Sequence, residues 1–257
     1  MVKLSSIPAF APIRLNEMDR VQLMNRTDTK YWFHASRLHG LLKEIQEYYF
    51  ILKIDGETAL PYSTVYYDTQ ENKMFSAHHN GKLNRFKIRR RSYVLSDISF
   101  LEVKLKNNKG RTIKKRINTK SKAPKFNKEE QEFLNWLIPF SVDDLQETLL
   151  NNFKRITLVN KNFKERCTID FSLRFESNEK QIALENLVIV EIKSDGSPSN
   201  SPLALALRDQ RIKTSGFSKY CIGRSVTDTL LKRNAFKAKI RSIEKTINTT
   251  ENLFNSI

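Results

Sequence analysis

Along much of the chain polar and apolar residues alternate with a period of two, the spacing that divides an extended strand into two faces. From Arg85 to Tyr93, one face carries Arg85, Lys87, Arg89, Arg91 and Tyr93, and the other carries Phe86 and Ile88. From Phe100 to Lys106 the division repeats, with Glu102, Lys104 and Lys106 set against Leu101, Val103 and Leu105. A third such stretch runs from Arg111 to Ile117, and Asn107-Asn108-Lys109-Gly110 supplies the turn chemistry of a hairpin before it. β-Branched and aromatic content predicts further strands from Arg26 to Phe33, Tyr62 to Asp68, Arg155 to Val159, Arg166 to Phe175 and Leu187 to Lys193. A short stretch around Met74 and Phe75 follows the second of these. Helical spacing marks Leu15 to Met24, where Asn16 is a plausible cap, and a segment capped by Ser36 with Leu38, Leu41, Leu42 and Ile45 on one face. It also marks residues 127–138, Leu145 to Phe153, Pro202 to Lys213, and the tail from Ser225 through Ile247. Many antiparallel strands, a few covering helices and no regular βαβ alternation predict an α+β fold built on an antiparallel sheet that is strongly curled or closed into a β-barrel. Nothing in the 257 residues demands a second domain; the core spans about 15–224, with a C-terminal helix over about 225–247.

Charge changes the picture. A half-buried strand ordinarily turns its charges to bulk water, but here they are nearly all of one sign, and like charges side by side on a sheet repel. A multiply charged anion between them would relieve that repulsion. The whole chain has 45 Lys and Arg against 28 Asp and Glu, a formal net charge of +17, which attracts polyphosphates, nucleic acids or acidic membrane surfaces. If the charged faces converge, the interior of the barrel gathers Arg26, Lys30, Lys87, Arg89, Arg91, Lys104, Lys106, Lys114, Arg116, Arg155, Arg166, Lys193 and Lys219. The same parity places Asp28, Glu102, Asp170 and Glu191 among them, and leaves the apolar residues outside for helices to cover. Arginine forks match phosphate oxygens bidentately, and lysine acts as a mobile point charge. A carboxylate among such cations either pairs with them or holds Mg²⁺ or Mn²⁺ beside phosphate oxygens. Glu191 and Glu102 are the candidate metal carboxylates; Glu102 or Asp170 is also placed to orient a water.

Other chemistries find little support. There is no phosphate-binding Gly-x-x-x-x-Gly-Lys loop and no Gly-x-Ser-x-Gly elbow. His78 and His79 fall in a turn beside Asn80-Gly81, as surface residues rather than metal ligands. Cys167 and Cys221 have no metal-ligand spacing and read as core residues of a protein in a reducing cytoplasm. No apolar run is long enough for a transmembrane segment. Of the 16 Phe, most fall on the apolar parity, which favours core over a base-stacking platform, so no nucleic-acid partner is expected.

Five segments, in order, resemble one family. Arg26-Thr-Asp-Thr-Lys30-Tyr-Trp-Phe, Val65-Tyr-Tyr-Asp68-Thr, His78-His-Asn-Gly-Lys-Leu-Asn-Arg85 running on into Lys87-Ile-Arg-Arg-Arg-Ser-Tyr93, Phe100-Leu-Glu-Val-Lys104 and Phe217-Ser-Lys-Tyr220 are similar to the VTC domain. This is the polyphosphate polymerase domain of the fungal vacuolar transporter chaperone complex and its stand-alone bacterial relatives. The resemblance implies a triphosphate tunnel fold and metal-dependent transfer of the terminal phosphoryl group of ATP to polyphosphate, with Mn²⁺ or Mg²⁺ as cofactor. It implies Lys30, Arg89, Arg91, Lys104, Lys114, Arg155, Arg166 and Lys219 as phosphate-handling residues and Glu191 as the metal carboxylate. The chain departs from the fungal pattern just before Phe-Ser-Lys, where Gly216 replaces a basic residue and Lys213 is the nearby substitute. Two alternatives stay open: a metal-dependent hydrolase of tripolyphosphate or a nucleoside triphosphate in the same tunnel, and a non-catalytic polyphosphate or nucleic-acid binder.

Overall fold

The computed structural model describes residues 7–21, 26–119, 125–178, 180–195, 201–248 and Leu253. Its strands are β1 (Ala11–Ile13), β2 (Arg26–His34), β3 (Tyr49–Leu52), β4 (Leu60–Thr69), β5 (Arg85–Tyr93), β6 (Ile98–Lys106) and β7 (Thr112–Thr119), then β8 (Leu145–Asn160), β9 (Glu165–Glu176), β10 (Gln181–Leu184) and β11 (Leu187–Asp195). The α-helices are α1 (Leu38–Ile45), α2 (Lys73–His79), α3 (Lys128–Leu137), α4 (Pro202–Asp209), α5 (Lys219–Thr227) and α6 (Lys237–Ile247); a 3-10 helix spans Leu15–Arg20. The main sheet runs β2-β11-β9-β8-β4-β5-β6-β7, antiparallel throughout. The expected barrel closure by hydrogen bonds is not seen among the described residues, because β2 and β7 end the path without pairing. The outer edge of β2 is taken instead by the segment before α5, where Tyr31 bridges Thr214 and the Ser215 amide donates to the Lys30 carbonyl. The β7 edge is exposed and carries Lys114, Lys115 and Arg116, charges that discourage strand addition.

Two outer faces of the sheet are covered as the alternation predicts. Under α1 and α4, Leu41, Leu42, Leu203 and Leu207 pack on Ile156, Leu158, Ile169, Val188, Val190 and Ile192. Under α3, Leu134 packs on Ile88, Leu101 and Val103. A buried ion pair ties α3 down: Arg90 donates to both oxygens of Glu130 at 3.0 Å and to the Tyr67 hydroxyl at 2.8 Å. Glu130 also completes the capping box of α3 with Asn127.

The segment Leu145 to Phe153, expected as a helix, forms the first half of the long strand β8. Leu145, Leu149 and Phe153 are four apart, and a spacing of four returns to one face of a helix and of a strand alike. The consequence is large. Leu149 and Phe153 join Tyr62, Tyr66, Leu173, Phe175, Leu187 and Ile189 as an apolar half of the inner face. Onto it pack Tyr220 and Val226 of α5 with Ile240, Ile243 and Ile247 of α6, each fully buried aliphatic side chain contributing about 1.5–3 kcal/mol. Gly223 permits that approach, since a Cβ there would stand 2.5 Å from Leu149 Cδ2 and 2.6 Å from Phe175 Cδ1. The stretch around Met74 and Phe75 is helical, not extended. Asp68 accepts from the Thr69, Met74 and Phe75 amides at 2.8 Å each, anchoring the start of α2, and His78 and His79 form its last turn.

Candidate functional site

The other half of the inner face is polar and encloses a cavity of about 1020 Å³. The registers place its groups in rungs across the sheet. Lys30 of β2 lies opposite Glu191 of β11, which lies opposite Thr168 of β9; Lys193 lies between Asp28 and Arg166. Asp170 of β9 is opposite Arg155 of β8. On the far wall Arg89 of β5 faces Glu102 of β6, which faces Arg116 of β7, and Lys87, Lys104 and Lys114 form the next rung. The floor is the start of α5, where Ser218 caps the helix and accepts from the Lys87 ammonium at 3.0 Å.

Three carboxylates organise the cations, each bridging two of them. Glu102 accepts from Arg89 Nε at 2.6 Å and pairs with Lys114. Asp170 takes the Arg155 fork at 2.5 and 2.8 Å and pairs with Lys219. Glu191 pairs with Lys30 at 2.6 Å and with Lys193. Burial pushes all three carboxyls up, and the adjacent cations outweigh it, holding each below the ordinary carboxylate value. Two arginines also lie over rings: Tyr62 and Phe153 stack at 5.3 Å, with Arg155 5.1 Å from the Tyr62 centroid and Arg91 at 5.8 Å. Aromatic faces hold guanidinium groups without consuming their N–H donors, although Arg155 already gives two of its donors to Asp170 and Arg91 gives Nε to Thr64. Arg89 beside Lys104, then burial, depress its ammonium to about 5. Burial lowers Lys219 to about 8. An anion bound beside Lys104 would favour its protonated form.

Most of the residues that parity assigns to the interior line this cavity. Lys30, Lys87, Arg89, Arg91, Lys104, Lys114, Arg116, Arg155, Arg166, Lys193, Lys219 and Glu191 all line the cavity. Arg26 opens β2, but its side chain lies outside the described residues. Lys106 is exposed at the end of β6, beyond the cavity. Glu102 is fully buried behind the wall with both oxygens engaged by cations, so it serves as a counter-ion. Among the described residues no group of three or more His, Cys, Asp or Glu is placed to hold a metal. A Mg²⁺ or Mn²⁺ bound by one carboxylate and the phosphate oxygens of a substrate needs no such cage. Glu191 fits that demand: its side chain is 20 % exposed at the cavity wall, and its partners Lys30 and Lys193 are cations a phosphate would draw toward itself.

Thr157 and Thr168 line the wall on the parity of Arg155 and Arg166, though neither was singled out; Tyr62 and Tyr66 join them, and Leu15, Asn16, Met18 and Asp19 of the 3-10 helix, which carry no strand alternation, reach the wall from the N-terminal side. Tyr220 donates to Asp68, which fixes the start of α5 and so Lys219. Lys213 is exposed and off the wall, and Lys239 of α6, which donates to the Gly216 carbonyl, does not line the cavity either.

Comparison with solved structures finds distant likenesses. A Bacillus halodurans protein described as a candidate adenylate cyclase is 10% identical, with 76% of this chain and 96% of that one covered and a TM-score of 0.48. A Hippeastrum protein, described as a candidate adenylyl cyclase with a dominant triphosphatase activity, is 15% identical over 82% of this chain and 99% of that one, with a TM-score of 0.49. A Pyrococcus horikoshii protein is 9% identical over 72% and 88%, with a TM-score of 0.38. No curated protein matches. The profile described as VTC domain matches residues 25–227, which takes in every strand of the cavity wall and the start of α5. The chain belongs to the VTC domain family.

Proposed function

We propose that this protein is a polyphosphate polymerase that transfers the terminal phosphoryl group of ATP to a growing polyphosphate chain with Mn²⁺ or Mg²⁺. The observation that carries the reading is the state of the acids. Glu102, Asp170 and Glu191 are each bridged to two cations and held ionised well below neutral pH. A general base works best with a pKa near the operating pH, and these three are far from it. An acceptor phosphate is already ionised and needs no base, whereas attack by water gives up a proton. In the transfer, an acceptor oxygen bonds to the terminal phosphorus of ATP as the bond to its bridging oxygen breaks, and ADP leaves with that oxygen. Positioning and charge neutralisation supply most of the catalysis in such a step. Arg89, Arg91, Arg155 and Arg166 would grip the phosphate oxygens, with Lys104 recharging against them. Lys30 and Lys193 would turn from Glu191 to the phosphates, and Glu191 would hold the divalent ion. Lys219, at the start of α5, would meet the acceptor chain. The bound ion would spread negative charge off the transferring group.

Incubation of the purified protein with ATP and Mn²⁺ or Mg²⁺ tests the reading, following chain length on a gel together with ADP and orthophosphate. Long chains with matching ADP are expected. Orthophosphate without chains would mean that water is the acceptor, and metal-independent anion binding with neither product would leave a binding module. No helix among the described residues is long and apolar enough to cross a membrane. Tyr62 and Phe153 lie buried beneath the cations rather than open to bases, which weighs against a nucleic-acid partner.

The Lys104 ammonium gives a pH signature. Free, it titrates at about 5; beside bound phosphate its protonated form is favoured, so binding takes up a proton above that pH. Tripolyphosphate affinity should therefore fall as pH rises from 5, by up to about tenfold per unit. Lys104→Arg, charged throughout, should flatten this dependence relative to wild type when affinity is measured by calorimetry from pH 5 to 8. An unchanged profile would place the titrating group elsewhere.

A further inference from the structure

We infer that the cavity continues into a second, extended subsite for inorganic polyphosphate, a cationic track that leaves along the inner face of β5 and β6 and passes over the β6–β7 turn. It rests on the polyphosphate reading and adds what that reading lacks, a place for the chain beyond the reacting phosphates. Residues 73–118 hold fourteen lysines and arginines against two acids, Asp97 and Glu102, and so carry most of the net charge of +17. Glu102 is spent on Arg89 and Lys114. The rung Lys87, Lys104 and Lys114 lies beyond it, and Arg85 opposite Lys106 lies one rung further, about 7 Å along the strands and on the same face. No acid stands on either rung. Cross-strand like charges destabilise a sheet, and a solvated basic face has no need to keep them in register with a cavity.

The track does not stop at the strand ends. The Asn108 amide donates to Asn84 Oδ1 at 2.9 Å, binding the loop before β5 to the β6–β7 turn. That bond gathers Lys82 with Lys109 and Arg111, all exposed, just past Arg85 and Lys106. Arg85 is aimed the same way: it donates to the Lys82 carbonyl at 2.8 Å, while its buried Nε has no partner. The positive field is felt nearby, since burial and then Lys87 and Arg85 drive the His78 imidazole down to about 3. Lys106, which the alternation counts with the phosphate-binding lysines and the cavity omits, falls at the centre of this track. The large exposed apolar side chains here are Leu83 and Ile113; the exposed Trp136 sits with Lys115 on the α3 side. With no exposed aromatic ring along it among the described residues, the track suits a polyanion without bases.

The test compares tripolyphosphate with long-chain inorganic polyphosphate, binding each to the full protein over a salt series. The variant is Lys82→Glu/Lys109→Glu/Arg111→Glu; the control, Lys232→Glu/Arg241→Glu/Lys245→Glu, makes the same charge change at exposed positions around and on α6. Thermal melts confirm that both fold. The track variant should bind long chains at least about tenfold more weakly, with a salt slope shallower by roughly 2, while tripolyphosphate affinity stays within about twofold. The control should change neither. Equal losses for both ligands, an equal loss in the control, or no loss at all would overturn the track while leaving the polymerase assay to stand by itself. A loss confined to single-stranded RNA, tested alongside, would overturn it in favour of a nucleic-acid surface. Wild-type protein that binds neither phosphate ligand would remove the parent reading and the track together.

Discussion

Glu102→Ala should destabilise the protein by about 3–5 kcal/mol, the cost of breaking a buried ion pair from one side. Glu102 is fully buried, and its loss strands the Arg89 guanidinium and the Lys114 ammonium together, with Arg91 and Lys104 close enough to perturb them. Exposed charge changes rarely reach about 1 kcal/mol, so urea unfolding separates the two cases. The loss should be partly reversible by ligand: tripolyphosphate in the cavity brings negative charge beside the stranded cations, and saturation at about a hundred times Kd returns about 2.7 kcal/mol. A variant that is destabilised and gains no more from tripolyphosphate than the wild type does at the same concentration would mean that the anion does not meet these cations. Acid should act on the wild type in the same sense. The folded Glu102 carboxyl titrates below its ordinary value of 4.5, so the unfolded chain binds more protons there. Stability supplied by this group is full above that value and is lost as pH falls toward the folded pKa.

Alternation made the charged face legible because a period of two needs no tertiary information; β5, β6 and β7 could be read residue by residue, and with them Arg89, Arg91, Lys104 and Lys114. It was silent on depth along a strand. Lys106 shares its parity with Lys104 but stands one rung beyond the cavity, and Glu102 shares it too but is sealed behind the wall. Nor could it divide the inner face into halves. The strand character of Leu145 to Phe153 was hidden by a four-residue spacing, and with it the aromatic floor of Tyr62 and Phe153 on which Arg155 and Lys219 rest. Whether the sheet closes by hydrogen bonds was not legible for a related reason. Strand count and length fit a barrel, but the edge of β2 is claimed by Thr214 and Ser215, residues with no strand pattern of their own.

Arg89→Lys should lower turnover by about 10²–10³-fold while leaving the melting temperature close to wild type, because the charge survives and the fork does not. Alanine is the less informative change here. Arg89 is paired to a buried carboxylate, and removing the whole side chain leaves Glu102 with Lys114 alone, mixing a fold defect into the kinetics. Lysine keeps a cation for Glu102, but its ammonium is a point charge without the planar, paired donors of a guanidinium that can match a carboxylate on one edge and a phosphate on another. The neighbouring position provides the opposite case. Ile88 is fully buried under α3 on the other face of the same strand, so Ile88→Ala should cost about 2–5 kcal/mol and spare kcat in the fraction that remains folded. Thermal melts and ATP turnover on both variants settle the assignment of faces. If Arg89→Lys loses stability and keeps turnover while Ile88→Ala does the reverse, the cavity is not where the phosphates react. If the lysine variant loses both kcat and kcat/KM equally, Arg89 acts on charge that appears only in the transition state; a rise in KM alone would make it a binding group for ATP.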